Sequence, residues 1–361
     1  MNGMSRRSFL KLGGSVMGAA AIGGMMAGCG SSSSTGTAST AATSAAAGSA
    51  ATQTSNHVIL GYWGGTCEMP IYVGYEKGFF KDAGLDAEIV KITEDVAPLM
   101  ATGELDCFEL TPDKFKPMEQ GLECVIIDSL HYGCQQGVAS AASGIKSPLD
   151  LEGKNVAASI GSIAQIALAA AMVDGGLDPS KVNWLTYKNA QMDQALASGE
   201  IDCFAAYDPW PDISLSKDSS RVRFWSWTYD EGIRDILCCF VGLSTKRLKE
   251  APEVGPKLCQ GFKASADWIR ANPEDACDLA INAGYVPVGT DAGFTREMMI
   301  QEVQDYRFIS GNKGEIDKSF AYIWDMIAKA GAMEDAPSDP AELDKYINET
   351  LYNRMVDYQG E

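Results

Sequence analysis

The phrase "ATGELDCFEL" at Ala101 to Leu110 returns 96 residues later as "ASGEIDCFAA" at Ala197 to Ala206. Each copy reads as a helix end, a glycine turn and a strand. Gly103 and Gly199 supply the left-handed stop, and Leu105/Cys107 and Ile201/Cys203 alternate inward on the strand. Such a phrase is also a generic helix-to-strand turn that any α/β chain can use. The flanking sequence decides what the repetition means.

From His57 the chain reads as a strand "HVILGYW", a Gly-rich loop "GGTCEM", a helix "PIYVGYEKGFFKDAG" and a second strand "LDAEIVKI". Pro70 falls in the first helical turn, where its missing N–H costs nothing, and Gly84 supplies the stop. Helix and strand go on alternating through "DVAPLMATGELDCFEL" and "KPMEQGLECVIIDSL", the pattern of an α/β sheet with helices on its faces. A second run opens near Val138 and repeats the order. It has strands in "GVASAAS" and "GIKSPLDLEGKNVAAS", the loop "IGS", the helix "IAQIALAAAMVDGG", the strand "KVNWLTY", the helix "AQMDQALASG" and the strand "EIDCFAAY". The repeated phrase then marks one equivalent place in two similar lobes.

After "RVRFW" and "ILCCFVGLS" the pattern changes to long amphipathic segments over 246–272, 273–283, 295–308, 316–330 and 340–358. Phe320, Ile323, Trp324 and Ile327 recur at helical spacing and read as core packing, not as a cofactor box. The chain is expected to leave a first lobe near His131, build a second, and return near Ile236. Lobe I then takes 57–133 and 236–361, and lobe II takes 134–235.

At the start, Ser5-Arg6-Arg7-Ser8-Phe9-Leu10-Lys11 is a twin-arginine export signature, and the Ala/Gly/Met-rich run behind it is too short and weakly apolar for a committed membrane span. That run ends in Met26-Ala27-Gly28-Cys29, which resembles the lipobox of bacterial lipoproteins, with Met26 where Leu is usual. Residues 1–28 are expected to be a signal peptide, with Cys29 lipidated and the protein held at the outer face of the cytoplasmic membrane. A secretory peptide in which Cys29 is incidental is the competing reading. Residues 29–56, rich in Ser, Thr, Ala and Gly, cannot build a core and read as a disordered tether. Its reach is roughly 30 Å.

Without residues 1–28 the chain keeps 26 basic against 48 acidic side chains, a net charge of −22. That excess excludes nucleic acid as a partner and is repelled by anionic lipid, so membrane attachment rests on the acyl chains. Nine cysteines besides Cys29 are an odd number without CxxC or metal-type spacing. Mostly buried free thiols are expected, with no metal and no cofactor. No HExxH, Walker, GxSxG or dinucleotide fingerprint supports a hydrolase, NTPase or dehydrogenase.

The run "GYWGGTCEMPIYVGYEKGFFKDAGLDAEIVKI" and the phrases "GIKSPLDLEGKNVAASIGS" and "ALASGEIDCFAAYDPWP" resemble the substrate-binding proteins of ABC importers for sulfonates, taurine, nitrate and pyrimidines. That grouping includes the fungal pyrimidine synthase of thiamine synthesis, and the resemblance spans about residues 57–350. It implies a bilobed periplasmic-binding-protein fold of type II, two α/β lobes joined by two hinge crossings, with a helical C-terminal extension. It further implies a non-enzymatic monomer that traps a small-molecule ligand between its lobes and hands it to ABC permease and ATPase subunits. Two alternatives stay open. "LCCF" at Leu237 to Phe240 resembles part of the synthase's cysteine-rich motif, though Val241 stands where another Cys is expected, which leaves a thiol- or metal-dependent enzyme. The other is a surface lipoprotein that senses a ligand without a permease.

In open α/β sheets the ligand sits beyond the carboxyl ends of the strands. The loops there are "WGGTCEM" and "ELTPD" in lobe I and "SIGS" and "YDPWP" in lobe II. Thr66, Cys67, Ser159 and Ser162 are placed at helix mouths, where backbone N–H groups favour an anionic group; ordinary N-capping is the alternative for Ser162. A thiol at a helix N-terminus has a lowered pKa, which makes Cys67 the reactive candidate, against the reading of a buried inert thiol. Trp63, Tyr132, Tyr207 and Trp210 could form an aromatic clamp. Glu68, Glu109 and Asp208 suit a heteroaromatic or amine-bearing ligand better than a bare anion, unless backbone donors hold the anion; Thr111 reaches the cleft beside Glu109. His131 is read as a hinge or ligand group, or as a satisfied structural histidine.

Overall fold

The computed structural model describes residues 56–332 apart from 94, 290–292 and 312. Arg6, Arg7, Cys29, nearly all of the tether and the segment 340–358 lie outside the described residues. Everything described belongs to one unit, Thr52–Glu361.

Strands β1 (His57–Tyr62), β2 (Asp86–Lys91), β3 (Cys107–Leu110) and β4 (Cys124–Tyr132) are followed by β5 (Gln135–Ser140), β6 (Asn155–Ala157), β7 (Asn183–Leu185), β8 (Cys203–Tyr207) and β9 (Arg221–Ser226). Then come β10 (Leu237–Ser244) and β11 (Arg307–Phe308). They form a six-stranded sheet in the order β11-β4-β10-β3-β1-β2 and a five-stranded sheet in the order β7-β6-β8-β5-β9.

The two copies of the repeated phrase occupy equivalent positions. β3 runs parallel to β1 and antiparallel to β10, while β8 runs parallel to β6 and antiparallel to β5. Cys107 stands opposite Leu60, and Cys203 opposite Val156. The helices that precede them, Val96–Thr102 and Asn189–Ser198, end on Gly103 and Gly199, whose φ values of 82° and 75° require glycine or a strained residue. The shared Asp explains why the phrase was written twice. Asp106 Oδ2 accepts from Ile59 N–H (3.0 Å), and Asp202 Oδ2 accepts from Asn155 N–H (2.8 Å). Each carboxylate thereby pins its strand to the parallel neighbour, β1 for β3 and β6 for β8.

Two short segments carry the chain between the sheets and run side by side. Cys134 N–H donates to Thr228 Oγ1 (3.3 Å), and Trp227 N–H donates to Gln135 O (2.8 Å). A Cβ on Gly133 would stand 2.7 Å from Thr228 Oγ1, so this crossing needs glycine for close approach.

Several helices differ from the sequence expectation. The first is broken at Gly78 (φ 78°) into Met69–Glu76 and Phe79–Asp82. The break lets Phe80 turn inward against Gly74 and Gly261, where any Cβ would approach the ring within 2.5 Å and 2.3 Å. A buried ring of this size contributes about 1.5–3 kcal/mol. The span 246–272 divides into Thr245–Glu250 and Val254–Ala271, separated by the segment that holds Pro252. In 295–308 the helix stops at Asp305 and the remainder pairs as β11 with β4.

The helix Lys313–Lys329 packs Phe320 on Phe240 (5.0 Å, stacked) beside the first sheet. It also reaches the second sheet's helix Ile163–Asp174 through a 2.6 Å ion pair between Lys329 and Asp174. Among the described residues no helix is long and apolar enough to cross a membrane.

Candidate ligand cleft

A cavity of about 250 Å³ opens where the carboxyl ends of β1, β3, β6 and β8 face one another. Lobe I contributes the loop after β1 and the end of β3, through Trp63, Cys67, Glu68, Glu109 and Thr111. The second sheet contributes Ser159, Ser162 and Tyr207. Those eight sequence candidates are brought together; Thr66, His131, Asp208 and Trp210 are not in the lining.

The loop after β1 is built around Glu68. Its carboxylate accepts from the N–H groups of Trp63 (2.8 Å), Gly64 (2.7 Å) and Gly65 (2.8 Å) and from Tyr72 Oη (3.0 Å). Three backbone donors of this loop are therefore consumed by the protein's own side chain. Burial, and next the charge of Glu109, push the Glu68 carboxyl up to about 8, against the pull of those three N–H groups. Thr66 is fully buried behind this turn. A Cβ on Gly65 would lie 3.0 Å from Cys67 Sγ and 3.7 Å from Tyr207, so the loop approaches the opposite wall closely.

Beneath the loop, Cys67 Sγ–H points to Glu109 Oε2 (3.5 Å), and His131 Nε2 lies 3.2 Å from Glu109 Oε1. His131 Nδ1 faces the Tyr132 carbonyl (3.3 Å), and the ring stacks on Tyr306 (5.5 Å). Burial works against the imidazolium, but Cys67 and Glu109 hold it up to about 9. The expected lowering at Cys67 is reversed: contact with Cys134, then burial, raise its pKa well above the ordinary thiol value. Thr66–Glu68 is a short 3₁₀ turn in a closed interior and gives the thiol no lowering. Cys134 itself adopts φ 90°, rare for a residue with a side chain.

On the opposite wall Ser162 caps the helix Ile163–Asp174, accepting from Gln165 N–H (3.3 Å), the N-capping alternative. Tyr207 ends β8 and faces the cavity, its phenol pushed up to about 12, chiefly by burial. Asp208 turns away. Its oxygens accept from Gln136 Nε2 (2.6 Å) and from Tyr306 Oη (2.6 Å), so it links the second sheet to the segment before β11. Trp210 begins the helix Trp210–Lys217 and packs against the apolar core. Tyr132 donates to Glu315 (2.7 Å) under the Arg307 guanidinium, outside the cavity. The aromatic walls are Trp63 and Tyr207.

Sequence reasoning missed Asp113, Lys114, Cys134, Gln135 and Asn189, all in the lining. Lys114 Nζ lies 2.6 Å from Asp113 Oδ2, so the cation in the lining is already paired. The signal for Asp113 and Lys114 was available, since they follow "ELTP" at the end of the repeated strand, in the loop already placed at the cleft. Gln135 and Cys134 belong to the crossing, which no local pattern marks. The nine described cysteines are buried free thiols; Cys238 and Cys239 on β10 lie 3.4 Å and 3.7 Å from Cys134 Sγ.

A family model described as NMT1/THI5 like matches residues 66–276, more than half of the chain. No curated protein sequence matches. Among solved structures, the chain is similar to the periplasmic aliphatic sulphonate binding protein SsuA of Escherichia coli, with TM-score 0.65, 14% identity, and coverage of 82% of this chain and 99% of that one. It is similar to the nitrate-binding protein NrtA of Synechocystis PCC 6803, with TM-score 0.65, 15% identity, and coverage of 84% and 89%. The alkanesulfonate-binding SsuA of Xanthomonas axonopodis pv. citri, bound to MOPS, gives TM-score 0.60, 14% identity, and coverage of 76% and 93%. At these identities the likeness shows the fold, which is the periplasmic-binding-protein fold.

Proposed function

Given that the chain belongs to the NMT1/THI5-like family, we propose that it is the extracytoplasmic substrate-binding component of an ABC importer. In this reading it captures a small solute between lobe I (57–133 and 236–361) and lobe II (134–235) and delivers it to a permease and its ATPase. The binding site is the cavity bounded by Trp63 and Tyr207. The solute is a small organic molecule rich in hydrogen-bond donors, an amine or nitrogen heteroaromatic compound, and not a simple oxyanion.

The observation that carries this choice is Glu68. An oxyanion needs free backbone donors or an uncommitted cation at the loop mouth. Here three loop N–H groups already serve a carboxylate, and Lys114 is paired with Asp113. Glu109 adds a further acceptor to the lining. The role is binding without turnover, and the protein reaches its place by twin-arginine export and lipidation at Cys29.

The test is native mass spectrometry of the chain extracted from its own membrane. One noncovalently held, nitrogen-bearing solute per chain, recovered unchanged on denaturation, is the expected result. Chemical conversion of the bound compound would replace this reading with the enzymatic one.

A further inference from the structure

We propose that Cys67, Glu109, His131 and Cys134 form a four-ligand site for a divalent transition-metal ion of the zinc class, set into the floor of the cleft. One donor atom from each residue lies within 4.8 Å of all the others, and all four side chains are buried. The site shares Cys67, Glu109 and Cys134 with the lining of the cavity.

Two donor spacings, one at each oxygen of Glu109, are close to tetrahedral edges, and all four donors lie within 4.8 Å of one another. Metal–sulfur bonds of about 2.3 Å and metal–nitrogen or metal–oxygen bonds of about 2.0–2.1 Å give tetrahedral edges of about 3.3 Å for N···O and about 3.5 Å for S···O. The observed pairs are 3.2 Å for His131 Nε2 to Glu109 Oε1 and 3.5 Å for Cys67 Sγ to Glu109 Oε2. Two sulfurs, one imidazole and one carboxylate are the donor types that zinc accepts.

The supporting groups are also in place. His131 Nδ1 faces the Tyr132 carbonyl (3.3 Å), which can hold the Nδ1 proton when Nε2 gives up its own to ligate. Gln135 Nε2 donates to Cys134 Sγ (3.6 Å). Cys134 takes part in the cluster from a left-handed backbone, φ 90°, that a residue with a side chain rarely adopts. The four ligands come from the turn after β1, the end of β3, the end of β4 and the crossing, so they assemble only in the folded chain. With both thiols deprotonated, the two thiolates and the carboxylate carry three negative charges in a buried site. A divalent cation reduces them to one, and three protons leave to solvent, one from each thiol and one from the His131 imidazolium.

Cys238 and Cys239 also approach Cys134, but that trio offers three sulfurs and leaves a tetrahedral ion one position short. The mixed set closes the tetrahedron, and the assignment is to that set.

The test uses the full-length chain in detergent, reduced, stripped with a chelator and titrated anaerobically with Co²⁺ as the spectroscopic probe, then with Zn²⁺. One Co²⁺ per chain is expected, with a thiolate-to-cobalt charge-transfer band and intense tetrahedral visible bands, all displaced by Zn²⁺. Cys67→Ser and His131→Gln should each weaken Co²⁺ binding by more than the about 10- to 100-fold that loss of a supporting partner costs. Cys238→Ser should leave affinity and spectrum unchanged. Circular dichroism checks that each variant is folded, and the unmodified chain tests the site without any variant. The proposal is overturned if the unmodified chain takes up no stoichiometric cobalt, or if cobalt binds without the thiolate band. It is equally overturned if Cys238→Ser loses the band while a folded Cys67→Ser keeps it. The titration contains no solute, so its failure leaves the solute-binding reading standing, and the converse holds.

Discussion

Asp106 and Asp202 do the same work 96 residues apart: each accepts a backbone N–H from the parallel strand beside its own, Ile59 on β1 at 3.0 Å and Asn155 on β6 at 2.8 Å. Their own backbone groups repeat the match. Asp106 N–H donates to Ile59 O and Asp202 N–H to Asn155 O, both at 2.9 Å. Removing either side chain strands a strand-end donor. Asp106→Ala and Asp202→Ala are each expected to cost about 1–3 kcal/mol of stability. Urea unfolding of the two variants measures this, and a loss confined to one of them would break the equivalence.

Asp128 makes stability depend on pH. Burial raises its carboxyl from 3.8 to about 7, although Ser310, Gly311 and Ser129 donate to it. Because the folded value lies above the ordinary one, this group's contribution is complete below about 4 and is lost as pH rises through about 7. In Asp128→Asn the amide oxygen still accepts from Ser129 and Gly311, and its NH₂ can donate to Ser310 Oγ. The variant is expected to lose this part of the fall in Tm between pH 5 and 8. Thermal scans across that range check it, and an unchanged slope would assign the titration elsewhere.

Asp208 joins the two halves of the molecule through Gln136 and Tyr306 and stands outside the cavity. Tyr306→Phe, which removes one donor from this buried carboxylate, is expected to destabilise by about 1–3 kcal/mol. It should leave the rank order of solutes unchanged. Calorimetry on a solute panel measures both, and a reordered preference would return Asp208 to the ligand contacts.

Membrane attachment is expected to depend on Cys29, because the tether itself carries no apolar face. Cys29→Ser should move the protein to the soluble fraction, and replacing Arg6 and Arg7 by Lys should stop export. Fractionation of the Cys29→Ser protein with membranes would remove the lipid anchor from the account.

The sequence made most of the architecture legible because its strongest signals are local. Gly103 and Gly199 stop helices by their own backbone freedom, and the "LDCF" and "IDCF" strands follow at once. For the same reason the ends of the repeated strands led to Glu109, Thr111 and Tyr207, which the structure places in the cavity lining. Glu68 was found but its role was not, although Glu three residues after Gly65 is the spacing at which a side chain reaches back to loop N–H groups. Asp208 and Cys134 could not be read, since what places them is distant: Tyr306 lies 98 residues beyond Asp208, and Cys238 lies 104 residues beyond Cys134. Trp210, beside a cleft loop in the sequence, packs against the core and is not in the cavity lining.

The most direct test of the central claim is calorimetric titration of the full-length chain with aminopyrimidines, taurine, alkane sulfonates and nitrate, alongside Trp63→Ala, Tyr207→Ala and Trp210→Ala. The account predicts that an amine or nitrogen heteroaromatic solute binds once per chain. Trp63→Ala and Tyr207→Ala should each weaken it by about 1–3 kcal/mol, whereas Trp210→Ala should leave affinity unchanged. Nitrate or simple sulfonates as the tight ligands, or binding that neither Trp63→Ala nor Tyr207→Ala weakens, would contradict it.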